Sequence, residues 1–200
     1  AMRVRGFFGG FYVDALAGLD MALWDVRGKL TGLSVCKLLG ARRHDRIPAY
    51  VSGLPKATRP ERAALAKVWI DKGFSAVKFA AVVADEGEIA EMRSIREAVG
   101  PEPRILVDLH WRYTDQEAIK LISALEAYDL YVAEAPVQSE DLEGQARVVA
   151  GVKTPVAIGE ELRTVYEYRP RFVHRCMSII QPEMAHMGRT AQRVRELWQK

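Results

Sequence analysis

Three acidic residues recur at one repeated place in this chain. Asp108 closes the apolar run RILVD, Glu134 closes YVAE and Glu160 closes PVAIGE, so the intervals are 26 and 26 residues. A lone Asp or Glu at a strand end ordinarily caps a helix or lies solvated on a rim. Three in register, each preceded by an apolar run, ask for another reading. If the runs are successive strands of a parallel β/α repeat, the three carboxylates gather at its C-terminal mouth. Crowded there, they repel one another unless a cation sits between them. Hard oxygen donors on three rigid strands, with positions left open for water and substrate, suit Mg²⁺.

The elements that must carry these residues are visible in the patterning. Strand candidates fall at 47–52, 76–81, 104–110, 131–136, 155–160 and 177–183. Amphipathic stretches lie between them, among them Glu61 to Lys72, Glu86 to Val99 and Gln116 to Tyr128. Strands alternating with helices of this length mean parallel β/α units, and strand starts recur every 22 to 29 residues. An open doubly wound sheet is the rival arrangement. It usually shows a phosphate-binding glycine turn after its first strand, and VSGLP is not one. A (β/α)₈ barrel closes with eight units over ~250 residues. Six are visible here, so the expectation is a partial (β/α) barrel, in a fragment or in a chain lacking some natural segments. Ahead of Ile47, Asp14 to Leu39 reads as one long helical pattern in which Gly28 and Gly32 mark a turn. The expected division is therefore 1–46 as a cap or support element with a linker helix, and 47–200 as the barrel.

Composition narrows the function classes. Hydrophobic residues make up 49% and charged ones 28%, as in ordinary globular domains. The net charge of +3 is spread among mixed signs, which argues against a nucleic-acid partner. No apolar run approaches the roughly 18 residues of a membrane span, and AMRVRGFFGG carries no apolar signal core. Cys36 and Cys176 sit in no CxxC or zinc spacing, and two reduced thiols fit a cytoplasmic location.

With these pieces in place the chain resembles the mandelate racemase and muconate lactonizing enzyme family of the enolase superfamily. The resemblance rests on DALAGLDMALWDVRGKLTGLSVCKLLG (14–40), GFSAVKFA (73–80), MRSIREAVG (92–100), VDLHW, VAEAP, AIGEE and IIQPEMAHMG (179–188), in family order and at similar spacing. It implies a barrel beneath an N-terminal α+β capping domain, with Asp108, Glu134 and Glu160 as Mg²⁺ ligands. By the same resemblance 1–46 is the remnant of that capping domain with its linker helix, and 47–200 the catalytic domain. It implies, further, abstraction of a proton α to a carboxylate, with the metal offsetting charge on the enediolate as it forms. Relatives commonly assemble, so a homo-oligomer is expected.

The departures from the family pattern shape the expected reaction. The family often places a Lys-x-Lys pair on the second strand, the second lysine acting as base. Here the segment reads Lys78-Phe79-Ala80, and alanine takes no proton. Lys78 is left to contact the substrate carboxylate, or to pair with Glu161 at the mouth. His110 lies two residues after Asp108, on the same face if the strand continues. That pattern resembles the superfamily's sugar-acid dehydratases, where this histidine protonates the departing hydroxyl. Its plain alternatives are a structural histidine or a further metal ligand. Glu183 falls where the family places the acid that orients a histidine base on the seventh strand, and nothing after Gly188 supplies that histidine. Arg112 is a candidate for a distal substrate oxygen or a rim salt bridge, Glu161 for the substrate-binding mouth, and His186 for substrate contact or a polar loop. Trp111 reads as packing.

The resulting expectation is a lyase that dehydrates an aldonic or aldaric acid to a 2-keto-3-deoxy acid. Racemisation, epimerisation or cycloisomerisation on the same scaffold is the nearest alternative. A non-catalytic or incomplete barrel is the alternative of a different class. A hydrolase is weakest, because zinc-type histidine clusters are absent from the sequence.

Overall fold

The computed structural model describes residues 10–40, 44–188, 191, 193 and 194. In chain order its elements are α1 (Phe11–Thr31), α2 (Val35–Leu38), β1 (Val51–Ser52), α3 (Arg59–Asp71), β2 (Ala76–Ala80), α4 (Glu88–Val99), β3 (Arg104–Asp108), α5 (Asp115–Leu125), β4 (Leu130–Glu134), α6 (Leu142–Gly151), β5 (Val156–Ile158), α7 (Val165–Val173), β6 (Ile179–Ile180) and α8 (Met184–Met187). They fall into two compact units, one drawn from 48–158 and 174–179, the other from 1–47, 159–173 and 180–200.

The larger unit holds the parallel sheet of a partial (β/α) barrel. Strand order follows chain order from β1 to β6, and the pairs from β1 through β5 are parallel. Alternation sorts its side chains into two populations. Val77, Phe79, Ile105, Val107, Ala133 and Val156 are at most 1% exposed. On the other face Ala76, Leu106, Val132 and Ala157 make a small apolar cluster. Lys78, Asp108 and Glu134 share that second face, each two residues beyond Ala76, Leu106 and Val132. Along β2, β3 and β4 an apolar residue thus lies one pleat repeat below each charged one.

Helix starts are set by side-chain caps. Glu61 accepts the Thr58 N–H (3.0 Å) and hydroxyl (2.7 Å) ahead of α3, and Glu117 does the same for Thr114 (2.9 and 2.7 Å) ahead of α5. Each Thr-x-x-Glu places the first helical residue one or two positions before the first strongly periodic one. Between α3 and α4 lies a buried ion pair. The Arg62 guanidinium donates Nε and a terminal nitrogen to both oxygens of Glu91, at 2.8 Å each. It also donates to the carbonyls of Lys56 and Ala57. Both side chains are 1% exposed. A bidentate fork of this kind satisfies both ions at once, which is what makes their burial tolerable.

In the smaller unit, α1 stops at Gly32, whose left-handed φ of 67° is one that glycine adopts at the least cost. Ser34 then caps α2 by accepting the Lys37 N–H. The single helical pattern expected over 14–39 is therefore two helices, and of the two glycines Gly32 makes the turn. Gly28 lies inside α1, where a Cβ would sit 2.9 Å from the Leu33 carbonyl oxygen. The helix α8 packs on α1. Gly188, at φ 54°, closes that contact, and a Cβ there would meet Asp20 Oδ2 at 2.8 Å. Among the described residues, no helix is long and apolar enough to cross a membrane.

Replacing Arg62 by Met should lower unfolding stability by about 3–5 kcal/mol, because Glu91 is left buried without a cation. Urea denaturation measures the loss, and the double variant with Glu91→Leu should recover most of it.

Candidate active site

The carboxylates of the larger unit end adjacent strands. Asp108 and Glu134 are register partners and the last residues of β3 and β4. They are 7% and 1% exposed, and Lys78, rising from the middle of β2, is 8% exposed. The Lys78 ammonium donates to Glu134 Oε2 at 2.6 Å and stands 3.7 Å from Asp108 Oδ2. It also lies 5.8 Å from the centre of the Tyr50 ring. Burial alone would lower the Lys78 pKa; the hydrogen bond and charge of Glu134, with Tyr50 and Asp108, outweigh it and raise it. Asp108 moves up, first through burial and then through the Glu134 charge, against the pull of Lys78 and His110. One lysine therefore serves two buried carboxylates. Glu134 Oε1 is buried and takes no hydrogen bond. An unsatisfied carboxylate oxygen beside a second acidic side chain is a place a small hard cation would fit.

His110 reaches Asp108, but by another route than the one expected. The strand ends at Asp108, and His110 and Trp111 take left-handed backbones with φ 50° and 53°. Strand alternation therefore does not place the imidazole. The turn does so instead: the His110 N–H donates to Asp108 Oδ1 at 3.1 Å, and its Nδ1 lies 2.9 Å from the same oxygen. The turn is held by the Trp111 N–H, which donates to the Ala135 carbonyl at 2.7 Å. The indole N–H of Trp111 is buried without an acceptor. Arg112 turns to the rim, donating to the Ala81 carbonyl at 2.9 Å and lying 3.9 Å from Glu88. Tyr113 donates its hydroxyl to Glu88, and its pKa is pushed up to about 12 by burial and that carboxylate.

Glu160 belongs to the smaller unit and is half-buried. Ala157, and not Glu160, is the register partner of Glu134, so the 26-residue interval carries Glu160 three residues beyond the ladder. The chain leaves β5 through Gly159 at φ 137°. The Tyr168 hydroxyl donates to the Gly159 carbonyl at 2.7 Å, and a Cβ there would stand 2.4 Å from the Tyr168 oxygen. Glu161 accepts the Gly159 N–H at 3.1 Å. Glu183 is exposed and caps α8, accepting the Ala185 N–H at 2.9 Å. His186, expected in a loop, lies in α8 with Nδ1 2.9 Å from Asp14 Oδ1. Asp14 also takes the Arg163 guanidinium at 2.8 Å. Reading the chain did not single out Asp14 or Arg163, since their partners lie 172 and 149 residues away.

Residues 61–200 match the family model described as enolase C-terminal domain-like. Residues 3–40 match that of the mandelate racemase / muconate lactonizing enzyme N-terminal domain. The chain belongs to the enolase superfamily. It is 33% identical over 183 residues to a D-galactarolactone cycloisomerase of Agrobacterium fabrum, across 90% of this chain and 48% of that protein. It is 30% identical over 185 residues to a D-gluconate dehydratase of Thermoproteus tenax, across 87% of this chain and 37% of that protein. A solved candidate isomerase from Sinorhizobium meliloti superposes with a TM-score of 0.94 at 56% identity, covering 98% of this chain and 51% of that one. The superfamily chain described here thus spans about half or less of the length of these relatives.

Lys78→Met should destabilise the chain in EDTA by about 3 kcal/mol, because Glu134 loses its cation. Chemical denaturation measures it. A loss below ~1 kcal/mol would mean that the ion pair is not what makes burial of Glu134 tolerable.

Proposed function

We propose that this superfamily member dehydrates an aldonic or aldaric acid to a 2-keto-3-deoxy acid, with Mg²⁺ held by Asp108, Glu134 and Glu160. The observation that carries the reading is the paired placement of His110 and Lys78 around Asp108 and Glu134. The metal supplies Lewis acidity toward the substrate carboxylate. Lys78 offers a fixed positive charge beside the same carboxylate. Both lower the cost of the charge that develops when the α-proton leaves.

The remaining roles follow from what each side chain can do. A base takes the α-proton, the C–O bond at the β-carbon breaks, and the departing hydroxyl takes a proton and leaves as water. His110 is assigned that last proton. With Nδ1–H donated to Asp108, a protonated imidazole presents Nε2–H to the leaving group. The enol product then tautomerises to the 2-keto acid. Ala80, opposite Asp108 in the register, cannot supply a lysine base. Glu183 is assigned to orient a histidine base on a seventh strand. Arg112 is assigned to a distal oxygen of the acid sugar, exchanging its Ala81 contact for it, and Glu161 and His186 are assigned to substrate contact. Residues 1–46 serve as the remnant of the capping domain and its linker helix, and 47–200 as the barrel.

Cycloisomerisation is the second reading, favoured by the Agrobacterium fabrum relative. It differs in outcome: a ring closes or opens and no water is released.

The test incubates the protein and Mg²⁺ with a library of aldonic and aldaric acids and their lactones. The expected result is a 2-keto acid from at least one open-chain acid. A ring-opened or ring-closed isomer with no release of water would replace the dehydratase reading by cycloisomerisation, and α-proton exchange with solvent deuterium alone would replace it by racemisation. His110→Asn should reduce dehydration by at least ~10²-fold while sparing deuterium exchange. Loss of both would remove His110 from the acid role.

A further inference from the structure

We infer that Asp14 of α1 is a positioning residue for the segment that carries Glu160 and for the imidazole of His186. The inference rests on the reading of Glu160 as a metal ligand and His186 as a substrate contact.

The chain of contacts lies wholly within the smaller unit. Arg163 grips both oxygens of Asp14, with Nε on Oδ1 at 2.8 Å and a terminal nitrogen on Oδ2 at 3.3 Å. The other terminal nitrogen donates to the Glu161 carbonyl at 2.9 Å. One guanidinium therefore ties α1 to the main chain one residue past Glu160. That turn is pinned twice more, by Leu162 N–H on the Gly159 carbonyl at 3.1 Å and by the Tyr168 hydroxyl on the same carbonyl. Downstream, Glu167 accepts the N–H groups of Arg163 and Thr164 at 3.0 and 2.8 Å. The 159–164 segment thus has fixed main-chain partners on both sides of Glu160; Tyr168 and Glu167 hold it from the adjoining helix α7, and Asp14 holds it from α1.

The same carboxylate fixes a histidine. His186 Nδ1 lies 2.9 Å from Asp14 Oδ1. An imidazole that donates Nδ1–H to a carboxylate keeps Nε2 as its acceptor, the tautomer suited to receive a hydrogen bond from a substrate hydroxyl. Helix α8 lies close to α1 at Gly188, where a Cβ would stand 2.8 Å from Asp20 Oδ2 and require that side chain to shift. Asp14 is 22% exposed at its side chain and Arg163 24%, so neither is a free surface charge. The geometry gives Asp14 two loads, a metal-ligand segment through Arg163 and an imidazole directly, and neither needs Asp14 to touch substrate.

The experiment measures Mn²⁺ affinity by EPR and the His186 tautomer by ¹⁵N NMR in Asp14→Asn, Asp14→Glu and Arg163→Gln. Asp14→Asn should weaken Mn²⁺ binding on the order of tenfold, the usual effect of losing a residue that orients a ligand. It should also shift the His186 tautomer, and Asp14→Glu should restore part of both. If Asp14→Asn does not fold, Arg163→Gln carries the test, with weakened Mn²⁺ binding and an unchanged His186 tautomer expected. Wild-type Mn²⁺ affinity in both Asp14→Asn and Arg163→Gln would overturn the inference. Glu160→Gln is the control for the reading beneath it: if that variant binds Mn²⁺ like the wild type, Glu160 is not a ligand and the metal reading fails by itself. The tautomer readout stays valid in either case.

Discussion

Two carboxylates share the end of adjacent strands in a place where water is nearly excluded, and their mutual repulsion is the constraint that the site is built around. Asp108 and Glu134 sit opposite one another in the β3–β4 register, so neither can move away without breaking the ladder. Burying one ion costs several kcal/mol and burying two of like sign costs more. The sheet meets that cost from one side, with Lys78 rising from β2 to within 2.6 Å of Glu134. Relief is incomplete, since Asp108 is held above the ordinary carboxylate range and one Glu134 oxygen takes no hydrogen bond. A site that is part neutralised by its own protein keeps a defined shape and leaves Glu134 Oε1 as an acceptor without a hydrogen bond. Full neutralisation by arginines would have made a stable salt bridge with nothing left to bind.

The apolar layer beneath this cluster is what keeps it in place. Ala76, Leu106 and Val132 lie on the same face one pleat repeat below Lys78, Asp108 and Glu134, and Ala157 stands level with Glu134 in the register. All four are 7% exposed or less, so the charged groups above them meet apolar side chains on that side and take their partners from one another. The helices are tied together independently. Arg62 and Glu91 join α3 to α4 by a buried bidentate pair, and Arg96 donates to the carbonyls of Gly100, Pro103, Tyr128 and Asp129 ahead of β3 and β4. The helices therefore have ionic ties of their own, apart from the Lys78–Glu134 pair that makes burial of the carboxylates tolerable.

Much of this was readable from residue order because the β/α repeat is a strictly local pattern. Apolar runs, glycine stops and the even spacing of Asp108 and Glu134 all survive in a linear string. Three kinds of information did not. Cap geometry set α3 and α5 to begin at Arg59 and Asp115 through Thr58 and Thr114, ahead of the first strongly periodic residues. Backbone conformation at His110 is left-handed, so the alternation rule gave a sound expectation of proximity for an unsound reason. Equal sequence spacing also concealed that Glu160 stands past the ladder, because strand β5 closes at Ile158 and the turn at Gly159 consumes the difference.

Asp14 shows the deeper limit. In the chain it is one acidic residue near the start of a long helix, the position where a carboxylate most often serves only the helix dipole. Its significance comes from Arg163 and His186, which belong to different β/α units and meet it only after folding. An acidic residue at a helix start favours the helix locally by a fraction of a kcal/mol, whereas two charge-assisted hydrogen bonds from distant segments are each worth more than that. The larger contribution is therefore the tertiary one, and it is invisible to any local rule. Side chains that hold a strand-end loop through such distant contacts are for this reason harder to read from sequence than the acidic residues that close the strands themselves.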